Sequence, residues 1–157
     1  MTSAANAQGL TSASAIEGTL DTATFGVVRT LIEEEQARDA CFVRSALPPY
    51  LDKLATHAEF IADIGYDGCR GFVAFYCNDL TTLTLFVTLI LVAPAHRRTG
   101  LSENLLDAAF ERARARGFNR CRLEVHPDNR RARNFYTRRG FEPVETWPDS
   151  ILLERML

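Results

Sequence analysis

Arg97, Arg98, Thr99 and Gly100 stand within the segment "VAPAHRRTGLS", Val92 to Ser102. They follow the most apolar run of the chain, and a helical pattern begins directly after them. A helix N-terminus carries about half a positive charge and several N–H groups without intrahelical partners. Gly100 lets the backbone come close to a ligand, and the two guanidinium groups add charge-assisted donors. These residue types in this order suit an anion with several oxygens, such as a pyrophosphate.

Such a turn must be held by a strand before it and a helix after it. "TLTLFVTLILV", Thr82 to Val92, reads as a long central strand. From Leu101 the apolar residues recur at Leu105, Leu106, Ala109, Phe110 and Ala113, an amphipathic helix that Gly117 is placed to cap. Upstream, "EFIADI" (Glu59 to Ile64) and "GFVAFYC" (Gly71 to Cys77) read as a hairpin across "GYDGC", so three strands in succession form an antiparallel meander. "PYLDKLATHA" fits a short helix with proline at its start, whereas Thr24 to Arg38 fits a helix or a strand end equally well.

Downstream, "RCRLEV" (Arg120 to Val125) alternates as a strand, with Arg122 and Glu124 on one face. A second helix starts near Asp128 or Asn129, carries Ala132, Phe135 and Tyr136 as its apolar stripe, and ends at Gly140. Strands near Phe141 to Glu145 and Ile151 to Met156 follow. The expected class is α+β, a mixed sheet built as a meander and then strand–helix–strand–helix–strand–strand. Residues 1–20 are small and polar and read as a flexible tail without a signal peptide, leaving 21–157 as one domain.

Composition narrows the function classes. The apolar run from Leu83 to Ala95 is far short of the ~20 residues of a membrane span. Four cysteines without a CxxC pair and three isolated histidines give no metal signature, and free thiols suit a reducing cytoplasm. The net charge of −2 conceals a division: 5 basic and 11 acidic residues up to Val92, then 12 basic and 6 acidic from Ala93 to Pro143. Such asymmetry suits separate anionic and cationic ligands. Glu33, Glu34 and Glu35 form an acidic run that reads as a solvated helix face or as a lure for a cationic acceptor.

"V-x-P-x-H-R-x-x-G" between its strand and helix resembles the acetyl-CoA-binding motif of the GCN5-related N-acetyltransferases. "LEVHPDNRRARNFYTRRGF", Leu123 to Phe141, is similar to that family's second signature. The resemblance runs from about Glu59 to Leu157 and is not visible in the N-terminal third. It implies a splayed central strand pair whose gap admits the pantetheine arm of acetyl-CoA, with Ile90, Leu91 and Val92 pairing their backbone with that arm. It implies that Arg97, Arg98, Thr99, Gly100, Leu101 and Ser102 wrap the pyrophosphate with their main-chain amides, and that Asn129 hydrogen-bonds the cofactor. Ser102 departs from the family's usual glycine or alanine. Tyr136 takes the family's general-acid position, protonating the departing thiolate, and Glu124 is the candidate base. His96 and His126 lie at loop edges and are set aside.

The implied reaction is direct attack of an amine-bearing acceptor on the thioester, with no metal. The acidic N-terminal half slightly favours a small amine, polyamine or basic peptide. The resemblance also admits a homodimer. Two other classes compete: a relative that binds CoA without catalysis, and a nucleic-acid module built on Arg130, Arg131, Arg133, Arg138 and Arg139. A groove reader wants an uninterrupted basic face and an excess of positive charge, and this chain offers neither.

Overall fold

The computed structural model describes residues 15–157. In chain order the strands are β1 (Ala15–Gly18), β2 (Glu59–Gly65), β3 (Gly68–Asp79), β4 (Thr84–Val92), β5 (Arg120–Val125), β6 (Glu142–Trp147) and β7 (Ser150–Met156). The helices are α1 (Thr22–Arg38), α2 (Leu47–His57), α3 (Leu101–Ala115) and α4 (Arg130–Arg138), with a 3₁₀ turn at Pro94–His96. The strands follow the order β1-β2-β3-β4-β5-β7-β6 in one sheet, so the expected mixed α+β class holds. β4 and β5 are parallel, whereas β1–β2, β2–β3, β5–β7 and β6–β7 are antiparallel. The parallel ladder runs only from Thr84↔Arg120 to Phe86↔Arg122, although β4 continues to Val92 and β5 to Val125.

One reading from the sequence changes at its edge, and one open alternative is resolved. Most of the expected tail, residues 1–14, lies outside the described residues, but Ala15–Gly18 form β1 against Phe60–Asp63 of β2. The segment from Thr24 resolves as helix α1. The Asp21 carboxylate accepts from the Thr24 N–H at 2.7 Å and caps it, and this hydrogen bonding holds Asp21 below its usual range. Phe25, Val28, Leu31 and Ile32 are buried on one face of α1, a helical spacing.

The chain divides into two compact units. The first comprises residues up to Phe75 with Leu89–Ala109. Its buried apolar residues include Val28, Ile32, Leu54, Phe60, Phe72 and Leu105. Gly71 lies opposite Asp63, and a bulge between Asp63 and Ile64 then shifts the β2–β3 register so that Ile64 faces Cys69. A Cβ at Gly71 would meet Leu101 Cδ2 at 3.0 Å and the Leu91 carbonyl at 3.1 Å. Glycine there lets β3 lie close under both the strand end and the start of α3.

The second unit comprises Tyr76–Thr88 and Phe110–Leu157. Both helix ends in it close by the same device. Gly117 and Gly140 adopt φ +85° and +88°. The Phe118 N–H reaches the Ala113 carbonyl at 2.9 Å, and the Phe141 N–H reaches the Tyr136 carbonyl at 3.0 Å. These are Schellman closures, whose apolar residue after the glycine folds back onto the last turn. At α4 that residue is Phe141, whose ring meets Tyr136 edge-on with centroids 5.4 Å apart. Phe141→Ala should therefore destabilise the protein by about 3–5 kcal/mol, the usual cost of emptying a buried aromatic site. Urea unfolding would measure it, and a loss under 1 kcal/mol would show that Phe141 does not anchor this end.

Candidate active site

The turn after β4 belongs wholly to the first unit. The Ala93 N–H donates to the Arg70 carbonyl at 2.8 Å, tying the strand end to β3, and the 3₁₀ turn then reverses the chain. Arg98 and Gly100 follow in the left-handed region, at φ +61° and +83°. A left-handed arginine is uncommon and strained, and left-handed residues are a feature of the backbone turns that bind anions. The Thr99 hydroxyl donates to the His96 carbonyl at 2.6 Å, which fixes the middle of the turn. The Gly100 carbonyl accepts from the Asn104 N–H at 3.0 Å, so α3 starts immediately. Arg98 and Thr99 are exposed, Ser102 is half-buried and Leu101 is buried. The turn thus presents its backbone at a helix N-terminus, the arrangement for an anion.

The Arg97 side chain, one of the two guanidinium donors offered by the sequence, is held by the protein. Its Nε donates to the Val92 carbonyl at 3.1 Å and its Nη2 to the Glu35 carboxylate at 2.9 Å. The side chain is engaged with the protein, and Arg98 alone of the pair points an exposed guanidinium outward. On β4, Ile90 is half-buried whereas Leu91 and Val92 are buried. A cavity of about 540 Å³ adjoins the turn, lined by Thr99, Leu101, Asn104, His96, Arg70, Asp63, Asp67 and Tyr66. Arg70 lies between the buried Asp63 carboxylate at 3.6 Å and Asp67 at 3.8 Å, one guanidinium facing two carboxylates.

In the second unit, Tyr136 is 7% exposed, seated edge-on between Phe135 and Phe141 at 5.2 and 5.4 Å. Burial, reinforced by Cys121, pushes its phenol well above the ordinary tyrosine range. The same burial pushes the Cys121 thiol up. Glu124 is exposed, as its alternation on β5 requires, and accepts from the Ser150 hydroxyl at 3.1 Å. Ser150 was not visible as a partner in the sequence because it is 26 residues away. Asn129 caps α4, its Oδ1 accepting from the Ala132 N–H at 3.1 Å. The Asp128 N–H donates to His126 Nδ1 at 3.1 Å. That makes Nδ1 an acceptor, so the Asp128 carboxylate 3.7 Å away forms no ion pair with it in this tautomer.

The profile of the acetyltransferase (GNAT) family matches residues 29–141. The chain belongs to the GNAT acetyltransferase family. The match begins inside α1 and so takes in a region where the sequence shows no visible motif. A stretch of 61 residues is 36% identical to GCN5-related N-acetyltransferase 6, chloroplastic, of Arabidopsis thaliana; it spans 39% of this chain and 21% of that protein. Among solved structures, the PaiA N-acetyltransferase of Thermoplasma acidophilum in complex with coenzyme A is 16% identical. It superposes with a TM-score of 0.73 over 92% of this chain and 99% of that one. Nourseothricin acetyltransferase is 27% identical over 64% of this chain and 66% of its own, with a TM-score of 0.56. The PaiA likeness establishes that the GNAT fold extends over nearly the whole chain. Among the described residues no group of acids, cysteines and histidines is arranged to hold a metal ion, and no helix is long and apolar enough to cross a membrane.

Proposed function

We propose that this GNAT protein transfers an acetyl group from acetyl-CoA to a primary amine by direct attack. The observation that carries the reading is the turn itself: left-handed Arg98 and Gly100 between the end of β4 and the start of α3. In this role the amides of Arg98 to Ser102 hold the pyrophosphate, and Ile90, Leu91 and Val92 pair with the pantetheine arm beyond the end of the parallel ladder. Asn129 donates to the cofactor from Nδ2. The PaiA structure, whose fold this chain shares, was solved with coenzyme A and supports the choice of donor.

The amine must lose a proton, and Glu124 is the base, exposed and able to act directly or through water. Tyr136 is the acid that protonates the leaving thiolate. A buried phenol holds its proton at neutral pH, and a thiolate forming in a similarly apolar place is itself made more basic, so proton transfer remains matched. Direct transfer is favoured because a covalent relay needs an activated nucleophile, and the buried thiols are not activated. Burial instead drives Cys69 up to about 12 and Cys121 up as well.

Calorimetric titration with acetyl-CoA, with free adenosine as control, tests the reading. Binding on the order of micromolar to acetyl-CoA, about 8 kcal/mol, is expected, with adenosine alone far weaker. No binding would remove the pyrophosphate cradle, and binding without transfer to any amine would reduce the protein to a CoA-binding relative.

A further inference from the structure

Glu35 belongs to an acidic run that composition alone makes a solvated face. Glu33 fits that account, pairing with Arg29 at 3.0 Å across one exposed helical turn. Glu35 does not. Its side chain is 15% exposed, and one oxygen, Oε2, accepts from Arg38 Nη2 at 2.7 Å and from Arg97 Nη2 at 2.9 Å. Arg97 stands 62 residues away in sequence and uses its Nε for the Val92 carbonyl, the last of β4.

We infer that Glu35 is a positioning residue for the cofactor turn, acting through Arg97 rather than on any ligand. The physical reason is the order of the contacts. Val92 ends the strand, Arg97 ends the 3₁₀ reversal, and the left-handed pair follows directly. A guanidinium is a rigid planar fork, so fixing Nη2 on a carboxylate also fixes the direction of Nε. Glu35 therefore sets where Val92 stops and where Arg98 begins, and the last turn of α1 becomes part of the cofactor site's support. Charge-assisted hydrogen bonds of this kind are the strong ones. Arg38 holds Glu35 from its own helix, at i+3, and cannot replace the long-range contact.

The inference rests on acetyl-CoA being the ligand of the turn, and it carries a sign that a phosphate-binding Arg97 would reverse. If Arg97 were a phosphate ligand held back by Glu35, removing the carboxylate would free it and tighten acetyl-CoA binding. If Glu35 positions the turn, removing it must weaken binding. Glu35→Ala is expected to raise the KM for acetyl-CoA about tenfold, with kcat changed much less. Glu35→Gln keeps an acceptor oxygen and should recover part of the loss, whereas Arg97→Lys, which lacks the fork, should not recover it. Arg38→Ala, which leaves the Arg97 contact in place, should change KM little.

A second measurement needs no activity. Hydrogen exchange of the ligand-free protein should show faster exchange in residues 91–102 for Glu35→Ala than for Arg38→Ala. A lower KM for Glu35→Ala, or an unchanged KM with unchanged exchange, overturns the inference. If the wild-type protein binds no acetyl-CoA, the cofactor reading falls first. The exchange comparison then decides whether Glu35 holds the turn.

Discussion

Tyr136→Phe is expected to lower kcat by about 10²- to 10⁴-fold, the range for loss of a general acid, while acetyl-CoA affinity stays within about twofold. The substitution removes a single oxygen. The ring keeps its place because its edge-on contacts with Phe135 and Phe141 involve carbon alone. The backbone closure through the Tyr136 carbonyl to Phe141 is also untouched. A loss of rate in a protein of unchanged stability would therefore report on the hydroxyl. The position is exacting in a second way. Burial lifts the phenol, so wild-type activity should show no descending limb from Tyr136 ionisation below about pH 10, its unperturbed value. Steady-state kinetics across pH, beside calorimetry on the same variant, would check both halves. Unchanged turnover would leave Tyr136 as a packing residue only.

The parts of the fold that could be read in the sequence are those whose signals are local. The period of α3, the alternation of β5 and the glycine-phenylalanine pairs that close α3 and α4 each lie within a few residues of what they determine. So does the turn at Gly100. What escaped is set by partners far away. β1 is four residues at the sheet edge with only partial burial, so Ala15–Gly18 carry too little pattern to stand out from a polar tail. α1 was ambiguous because β-branched residues and an irregular start blur its period, and its cap at Asp21 lies outside the segment that carries the apolar spacing. β7 lies between β5 and β6, and chain order alone does not dictate that insertion. The site divides in the same way. The turn proposed to cradle the pyrophosphate was legible as a motif. The inward turn of Arg97 to Glu35, and the Ser150 hydroxyl on Glu124, depend on contacts that no spacing rule contains.

Gly100→Val should have the largest effect on acetyl-CoA binding, a loss of at least 100-fold, about 2.7 kcal/mol. Two costs combine, and they can be separated. At φ +83° any side chain is strained, by roughly 1–2 kcal/mol, and a β-branched one suits this region least. That cost falls first on folding and on the shape of the turn. The second cost concerns the ligand. A Cβ built on Gly100 meets nothing within 4 Å, so the protein itself has room for it. A further loss of affinity as the side chain grows, in a protein whose stability falls no further, then comes from space that the ligand requires. Gly100→Ala measures strain with the least intrusion, and Gly100→Val adds bulk at the same φ. If valine binds acetyl-CoA much more weakly than alanine while melting temperatures are similar, the pyrophosphate lies against Gly100. If both variants bind as the wild type does, the left-handed turn serves only to start α3, and the anion is held elsewhere.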